Sequence, residues 1–182
     1  MSDIHPCVAD PGPVFVLLHP NAVPVVDIFR CISRFEDRYD LAILDGPEEA
    51  LLGLIRPEAA KAIISDALLL AFALDRQRSR KLCHAPLKSR RGSMDEYCLL
   101  ALIGASRVRD SELAFEASAA LGIASLDLVT SLASDLVRQI DLAGLTLGAP
   151  AIDEFRVVVG NRILFDDDPG PALNHPEFRF RF

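Results

Sequence analysis

An uninterrupted apolar stretch near the middle of the chain constrains the fold most. Residues 67–74 read ALLLAFAL and carry no polar side chain on any face. Pro57 and Glu58 suit the first turn of a helix, because proline lacks the N–H that this turn leaves unbonded and glutamate favours the positive end of the helix dipole. A helix that is apolar on every face is expected to be buried all round. The pattern therefore predicts a core helix over residues 57–75.

The same stretch is a poor membrane span. A span needs roughly 20 mostly apolar residues, whereas this helix carries Lys61 and Asp66. We expect Asp66 to lie at the rim of the core or to be paired, and we expect no membrane partner. Residues 1–6, MSDIHP, show no positive region leading into an apolar one, which predicts no secretory signal and a cytoplasmic location.

The four cysteines are expected to be reduced structural thiols, since no pair has the CxxC spacing of a zinc site. The four histidines all fall in predicted loops and lack the i, i+4 spacing of a helical metal pair. We therefore predict no metal and no cofactor. Signatures of nucleotide-binding loops, serine hydrolases and zinc proteases are absent from the sequence.

The N-terminal third carries a strand–helix–strand pattern. Residues 14–18 form a short apolar run flanked by prolines, which favours a buried strand. Helical spacing follows from Pro24 to Tyr39, with Asp27 and Arg30 on the predicted polar face. Residues 41–44 are apolar again and predict a second strand. Residues 45–51, DGPEEAL, resemble a stretch of response-regulator receiver domains, but the acidic pair and phosphate-accepting aspartate of that family have no counterpart here.

Three more helices are expected around the central one. Ser93 and Glu96 have the spacing of a capping box, which predicts a helix start, and Gly122 suits a helix end. The predicted helices cover residues 93–106, 110–121 and 125–144. We expect the first of them to pair antiparallel with helix 57–75, and the other two to form a second hairpin packed on that pair. Residues 121–125 resemble the turn of a DNA-binding helix-turn-helix, but the second helix would present Asp127 and apolar groups to the phosphates, which favours a structural hairpin.

The C-terminal part predicts β-structure. Phe155–Val159 and residues 162–165 are strand-like and flank Gly160-Asn161, a pair that suits a hairpin turn. Phenylalanine and arginine alternate strictly over residues 178–182, which would place three rings on one face of a further strand. We predict that these rings bind a partner or a second subunit: Phe178, Phe180 and Phe182.

Residues 76–91, which we call the basic segment, hold seven cations and no acid in a chain of net charge −7. This composition is typical of a solvated loop that pairs in part with acidic groups, and it is also compatible with binding of nucleic acid or another polyanion. The candidate anion-binding residues are Arg76, Arg78, Arg80, Lys81, Lys88, Arg90 and Arg91.

The sequence thus predicts a predominantly helical α+β fold in one domain over residues 1–182. An irregular arm (1–13) leads into a mainly helical core (14–150), followed by the hairpin and tail (151–182). The hydrophobic fraction of 51% predicts a large core or a surface that meets a partner. We expect a non-enzymatic accessory or regulatory protein that acts through protein–protein interaction, with a homodimer as the simplest form. The alternatives are a polyanion binder that uses the basic segment and an enzyme with an unfamiliar site.

Overall fold

A computed structural model describes residues 16–38 and 41–166, and within them the chain is mostly helical with one small sheet. The strands are β1, Val16–Leu17, and β2, Arg91–Gly92. The helices in chain order are α1, Val23–Arg38; α2, Asp45–Leu52; α3, Pro57–Gln77; α4, Met94–Ala105; α5, Glu112–Ala120; α6, Leu126–Leu142; and α7, Ile152–Asp166.

The sheet joins the N-terminal strand to the basic segment. β1 and β2 are antiparallel, with Val16 opposite Gly92 and Leu17 opposite Arg91. A strand near residues 14–18 is therefore confirmed for Val16–Leu17. The strand predicted over residues 41–44 is wrong, because Leu41–Leu44 form a 3₁₀ turn that leads directly into α2. A four-residue apolar run does not distinguish these two states, and here the partner of β1 comes from much later in the chain.

Helix α3 confirms the helix predicted over residues 57–75, but it packs against other helices than the one predicted as its partner. It packs mainly against α6 and α1, whereas α4 packs mainly against α5 and then α6. The predicted central pair of helices 57–75 and 93–106 is therefore wrong. The C-terminal end of α3 is fixed beside the start of α6, where the Ser125 N–H donates to Gln77 Oε1 at 2.9 Å. Because the end of α3 lies beside the start of α6 and the two helices pack together, they run antiparallel.

The expectation that α3 is buried on every side is also wrong. Its inner face is in the core, with Ala67, Leu70 and Leu74 almost fully buried. Leu69 and Phe72 lie on the outer face and remain 53% and 48% exposed. We call these two residues the α3 surface. An all-apolar helix thus keeps part of its apolar area in contact with solvent.

Capping interactions set the limits of the later helices. Ser93 caps α4 in the predicted capping box, and Ser111 caps α5 by accepting from the Ala114 N–H. Ser125 precedes α6 as predicted, although its side chain makes no capping hydrogen bond. Gly122 has a φ of +71°, which allows the chain to turn after α5.

Residues Phe155–Val159, which the sequence predicts as the first strand of a hairpin, lie within helix α7. Phe155 and Val158 are buried on one face of this helix, and the Phe155 ring stacks on Tyr97 at a centroid distance of 5.6 Å. On the exposed side Arg156 bonds Glu112 and Glu116 of α5. These tertiary contacts outweigh the strand propensity of the valines. The tail with Phe178, Phe180 and Phe182 lies outside the described residues, so its strand stays a prediction.

Within the described ranges, no helix has the length and apolar character that crossing a membrane requires.

Candidate functional site

The first turn of α4 carries two buried acids that organise their surroundings. Asp95 and Glu96 are 2% and 0% exposed. Glu96 accepts the Ser93 N–H at 2.9 Å, and its own N–H donates to Ser93 Oγ at 3.1 Å, which closes the capping box. Buried carboxylates of this kind require charged or hydrogen-bonding partners. Together with Asp27 of α1, we call them the carboxylate cluster.

Arg30 of α1 occupies the centre of this cluster. Its Nε donates to Glu96 Oε1 at 2.7 Å and its Nη2 to Oε2 at 2.9 Å, in a bidentate pair. Its Nη1 donates to Asp27 Oδ1 at 3.0 Å. The remaining N–H groups donate to the backbone oxygens of Ser89 and Arg91. All five donors of this buried guanidinium are therefore used.

Asp95 holds the beginning of the basic segment. Arg80 donates to both carboxylate oxygens at 2.9 Å, and Arg78 Nη2 donates to Oδ2 at 3.2 Å. The Cys83 N–H donates to the same Oδ2 at 2.9 Å. Arg78 is also bonded to the Leu121 backbone oxygen in the turn after α5. The predicted pairing of the segment with acidic groups is confirmed for Arg78 and Arg80.

The backbone of the segment follows the same three acids. The Ala85 N–H donates to Glu96 at 3.1 Å, and the Lys88 N–H donates to both oxygens of Asp27 at 3.1 Å. His84 Nδ1 lies 3.2 Å from Glu96 Oε1. Lys88 has a φ of +61°, a strained value for this residue type that these contacts help to hold. The carboxylate cluster therefore determines the path of the segment.

The two acids of α4 stay ionised because cationic side chains and backbone N–H groups bond to them. Burial alone would raise the pKa of Asp95 and Glu96, but hydrogen bonds from Arg80 and the Cys83 backbone lower the pKa of Asp95 overall. Hydrogen bonds from Arg30 and His84 lower the pKa of Glu96 in the same way. Both groups are therefore carboxylates at neutral pH and weak bases. Their contacts favour a structural role over proton transfer.

Sequence reasoning missed the two α1 residues of this site. Asp27 and Arg30 were expected on the polar outer face of the helix, and the structure buries both, at 5% and 2% exposure, so that expectation is wrong. Only the fold brings Arg30 to Glu96. The chain offers one local signal, the i, i+3 spacing of Asp27 and Arg30, which is equally typical of a solvated surface pair.

The seven candidate anion-binding residues are distributed over two environments. Arg78 and Arg80 contact Asp95. Arg90 lies on the surface and its Nε donates to the Leu18 backbone oxygen at 3.3 Å. The remaining four side chains are, like Arg90, exposed on the surface: Arg76, Lys81, Lys88 and Arg91. The structure thus brings together only part of the predicted set.

Two clefts lie beside these elements. One has a volume of about 30 Å³, lies between β1 and α4 and is mainly apolar, with Leu18, Leu100 and Leu147 among its lining residues. The other has a volume of about 40 Å³ and lies between α1, the end of α3 and the basic segment. We call the second one the cationic cleft, since Arg78, Arg80 and Lys81 line it.

Comparison of the chain with protein-family models, curated proteins and solved structures found no match.

Proposed function

We propose that this chain is a non-enzymatic accessory or regulatory protein that acts through protein–protein contacts and associates with a second copy of itself. The observation that carries the proposal is the α3 surface. Leu69 and Phe72 are one helical turn apart and each keeps about half of its side chain in solvent, at 53% and 48%. Removing both exposed halves from water on association would stabilise the complex by roughly 2 to 3 kcal/mol.

A second copy is the simplest occupant of this surface. A two-fold dimer brings the same surface of both copies together, so the apolar area is doubled without any other protein. Each chain carries a net charge of −7, and the mutual repulsion opposes the contact. Self-association of this kind should therefore become tighter as salt screens the charge.

Light-scattering mass on a sizing column tests the proposal. We expect a dimer for the unchanged chain and a monomer for Leu69→Ser/Phe72→Ser. The matched control is Val108→Ser/Leu142→Ser, which removes similar apolar area at the more exposed positions, 66% and 76%. It should remain dimeric. A monomeric unchanged chain, or a dimeric double variant on α3, would contradict the proposal.

The C-terminal tail is the second proposed contact. Phe178, Phe180 and Phe182 alternate with arginines, a pattern that allows an added strand at the edge of another subunit. A chain truncated after Pro171 should then show a lower mass than the full chain at the same concentration. An unchanged mass would remove the tail from the interface and leave the α3 surface as the proposed contact.

Polyanion binding through the basic segment is less well supported. Arg78 and Arg80 are already bonded to Asp95, so the alternative depends on exposed cations such as Arg76, Lys88 and Arg90. A triple variant Arg76→Ser/Lys88→Ser/Arg90→Ser tests this alternative and keeps the bonds to Asp95. Oligonucleotide affinity that falls in this variant and declines steeply with salt would favour the polyanion binder over the accessory protein.

A further inference from the structure

The α3 surface continues onto the neighbouring helix α6. The Ser125 N–H donates to Gln77 Oε1 at 2.9 Å, which places the start of α6 beside the end of α3. Asp66 lies within electrostatic reach of Asp135 and Arg138, about three helical turns from that contact on both helices. The two contacts therefore agree on one antiparallel register of α3 and α6.

Leu128 is the residue of α6 that joins this surface. It lies two turns before Asp135 on the same face of α6, and in this register it is level with residues 73–74 of α3. Its side chain is 56% exposed, and Leu132 between these two positions is partly buried. The α3 surface is therefore part of an apolar strip that extends over two helices.

Charged residues of opposite sign flank the α3 surface along the helix. Asp66 lies about one turn before Leu69, and the exposed Arg76 lies about one turn after Phe72. Burial and the nearby Asp135 raise the pKa of Asp66, so its negative charge is incompletely compensated. In the part of the chain that the structure describes, neither Asp66 nor Arg76 forms an ion pair. The surface thus has an unpaired acid at one end and an unpaired cation at the other.

This distribution of charge favours an antiparallel pair of α3 helices over a parallel pair. In a two-fold pair of parallel helices each residue faces its own copy, so Arg76 would meet Arg76 and Lys61 would meet Lys61. In an antiparallel pair centred between Leu69 and Phe72, these two side chains pack on each other across the two-fold axis. Arg76 then lies opposite residues 65–66 of the second copy. Opposite charges therefore meet twice, once on each side of the axis.

We propose that two copies of the chain associate through α3 in antiparallel orientation, with Leu69 on the partner's Phe72 and Arg76 beside the partner's Asp66. This arrangement rests on the self-association proposed above and adds its orientation and its charged contacts. Ion pairs at the edge of an interface fix orientation and register more than they add affinity. The apolar strip therefore supplies the attraction, and the net charge of −7 still determines the response to salt.

Charge reversal tests the charged contacts, with sedimentation equilibrium of the full chain at fixed salt as the measurement. Arg76→Glu places an additional acid beside the partner's Asp66 and Asp135, and we expect the dimer to be weakened about tenfold. Adding Ser65→Lys supplies an opposite charge at the facing position and should recover most of the loss. Within one chain, residues 65 and 76 are about three turns apart and do not pair, so the recovery reports a contact between copies.

Arg109→Glu is the matched control for the change in net charge. This exposed side chain lies in the turn before α5, away from α3. The variant has the same net charge as Arg76→Glu, and we expect its dimer to be weakened by no more than about twofold. A dimer that is unaffected by Arg76→Glu, or equal losses in the two variants, would overturn the arrangement.

Oxidative cross-linking tests the orientation independently of affinity. In Ser65→Cys/Arg76→Cys the two thiols of one copy face those of the other, and we expect a covalent dimer on denaturing electrophoresis. Each single variant should give none, because equivalent positions of the two copies are about 16 Å apart, too far for a disulfide.

A covalent dimer of both single variants, or none of the double variant, would overturn the antiparallel arrangement. Self-association through the α3 surface would still stand in those cases, since the unchanged chain would remain a dimer. An unchanged chain that is monomeric would overturn both.

Discussion

The guanidinium of Arg30 and the carboxylate of Glu96 form a bidentate pair, at 2.7 and 2.9 Å, across 66 residues of sequence. The pair joins α1 to the first turn of α4, and neither side chain is more than 2% exposed. Because Glu96 also closes the capping box and accepts the Ala85 N–H, one side chain connects two helices and the basic segment. The carboxylate cluster is therefore the structural centre of the N-terminal half.

Removing the charge of Glu96 should destabilise the fold strongly. Glu96→Gln leaves the buried Arg30 charge without its bidentate partner, and loss of one partner of a buried pair costs about 3–5 kcal/mol. Urea unfolding followed by far-UV circular dichroism measures the effect. Asp135→Asn is the control, because its pair with Arg138 is exposed and contributes less than about 1 kcal/mol. Similar losses in both variants would show that the buried pair is not a major stabilising contact.

The pH dependence of stability should follow from the same cluster. The pKa of Asp95 and of Glu96 is lowered in the folded chain, so their contribution is fully present above the unfolded pKa values of about 4. It is lost as the pH falls through the lowered folded values. Burial and the nearby Asp135 raise the pKa of Asp66, which acts in the opposite sense and costs stability at neutral pH.

Thermal unfolding midpoints between neutral and acidic pH check this prediction. The unchanged chain should lose stability in acid, and Asp66→Asn should be at least as stable as the unchanged chain at neutral pH. Glu96→Gln should show a shallower loss in acid, since one of the carboxyl groups whose pKa is lowered on folding is gone. An equally steep loss in that variant would assign acid unfolding to other carboxylates.

Local signals in the sequence identified the helix starts but not their partners. The Ser93–Glu96 spacing predicted the capping box because both halves of that interaction lie within one turn. The approach of Arg30 to Glu96 has no such local signal, since it depends on how α1 and α4 are placed. A charged residue at helical spacing is usually solvated, and only the complete fold shows that Arg30 is enclosed.

The C-terminal segment shows how tertiary packing overrides propensity. Val157 and Val159 beside Gly160 favoured a hairpin, yet Phe155 and Val158 lie at helical i, i+3 spacing and face the core. The stacking of Phe155 on Tyr97 is a contact across the chain that propensity does not encode. The uncovered α3 surface was missed for a related reason, because apolar composition does not tell which side of a helix is covered.

Truncation of Phe155 should test the assignment of α7. Phe155→Ala removes a buried ring that stacks on Tyr97, and such changes cost about 3–5 kcal/mol. Val157→Ala is the matched control, since this side chain is 58% exposed and its loss should change stability by less than about 0.5 kcal/mol. Denaturant unfolding of the two variants gives the comparison. A strand would place residues 155 and 157 on the same face, so equal losses would contradict the helix.

Sedimentation equilibrium of the unchanged chain in about 0.05 M and about 0.5 M salt tests self-association through the α3 surface most directly. We predict a dimer that becomes tighter at the higher salt concentration, because the contact is apolar and each chain carries a net charge of −7. We also predict that Leu69→Ser/Phe72→Ser is monomeric in both conditions. A chain that is monomeric at both salt concentrations, or a dimer that dissociates as salt rises, would contradict the account.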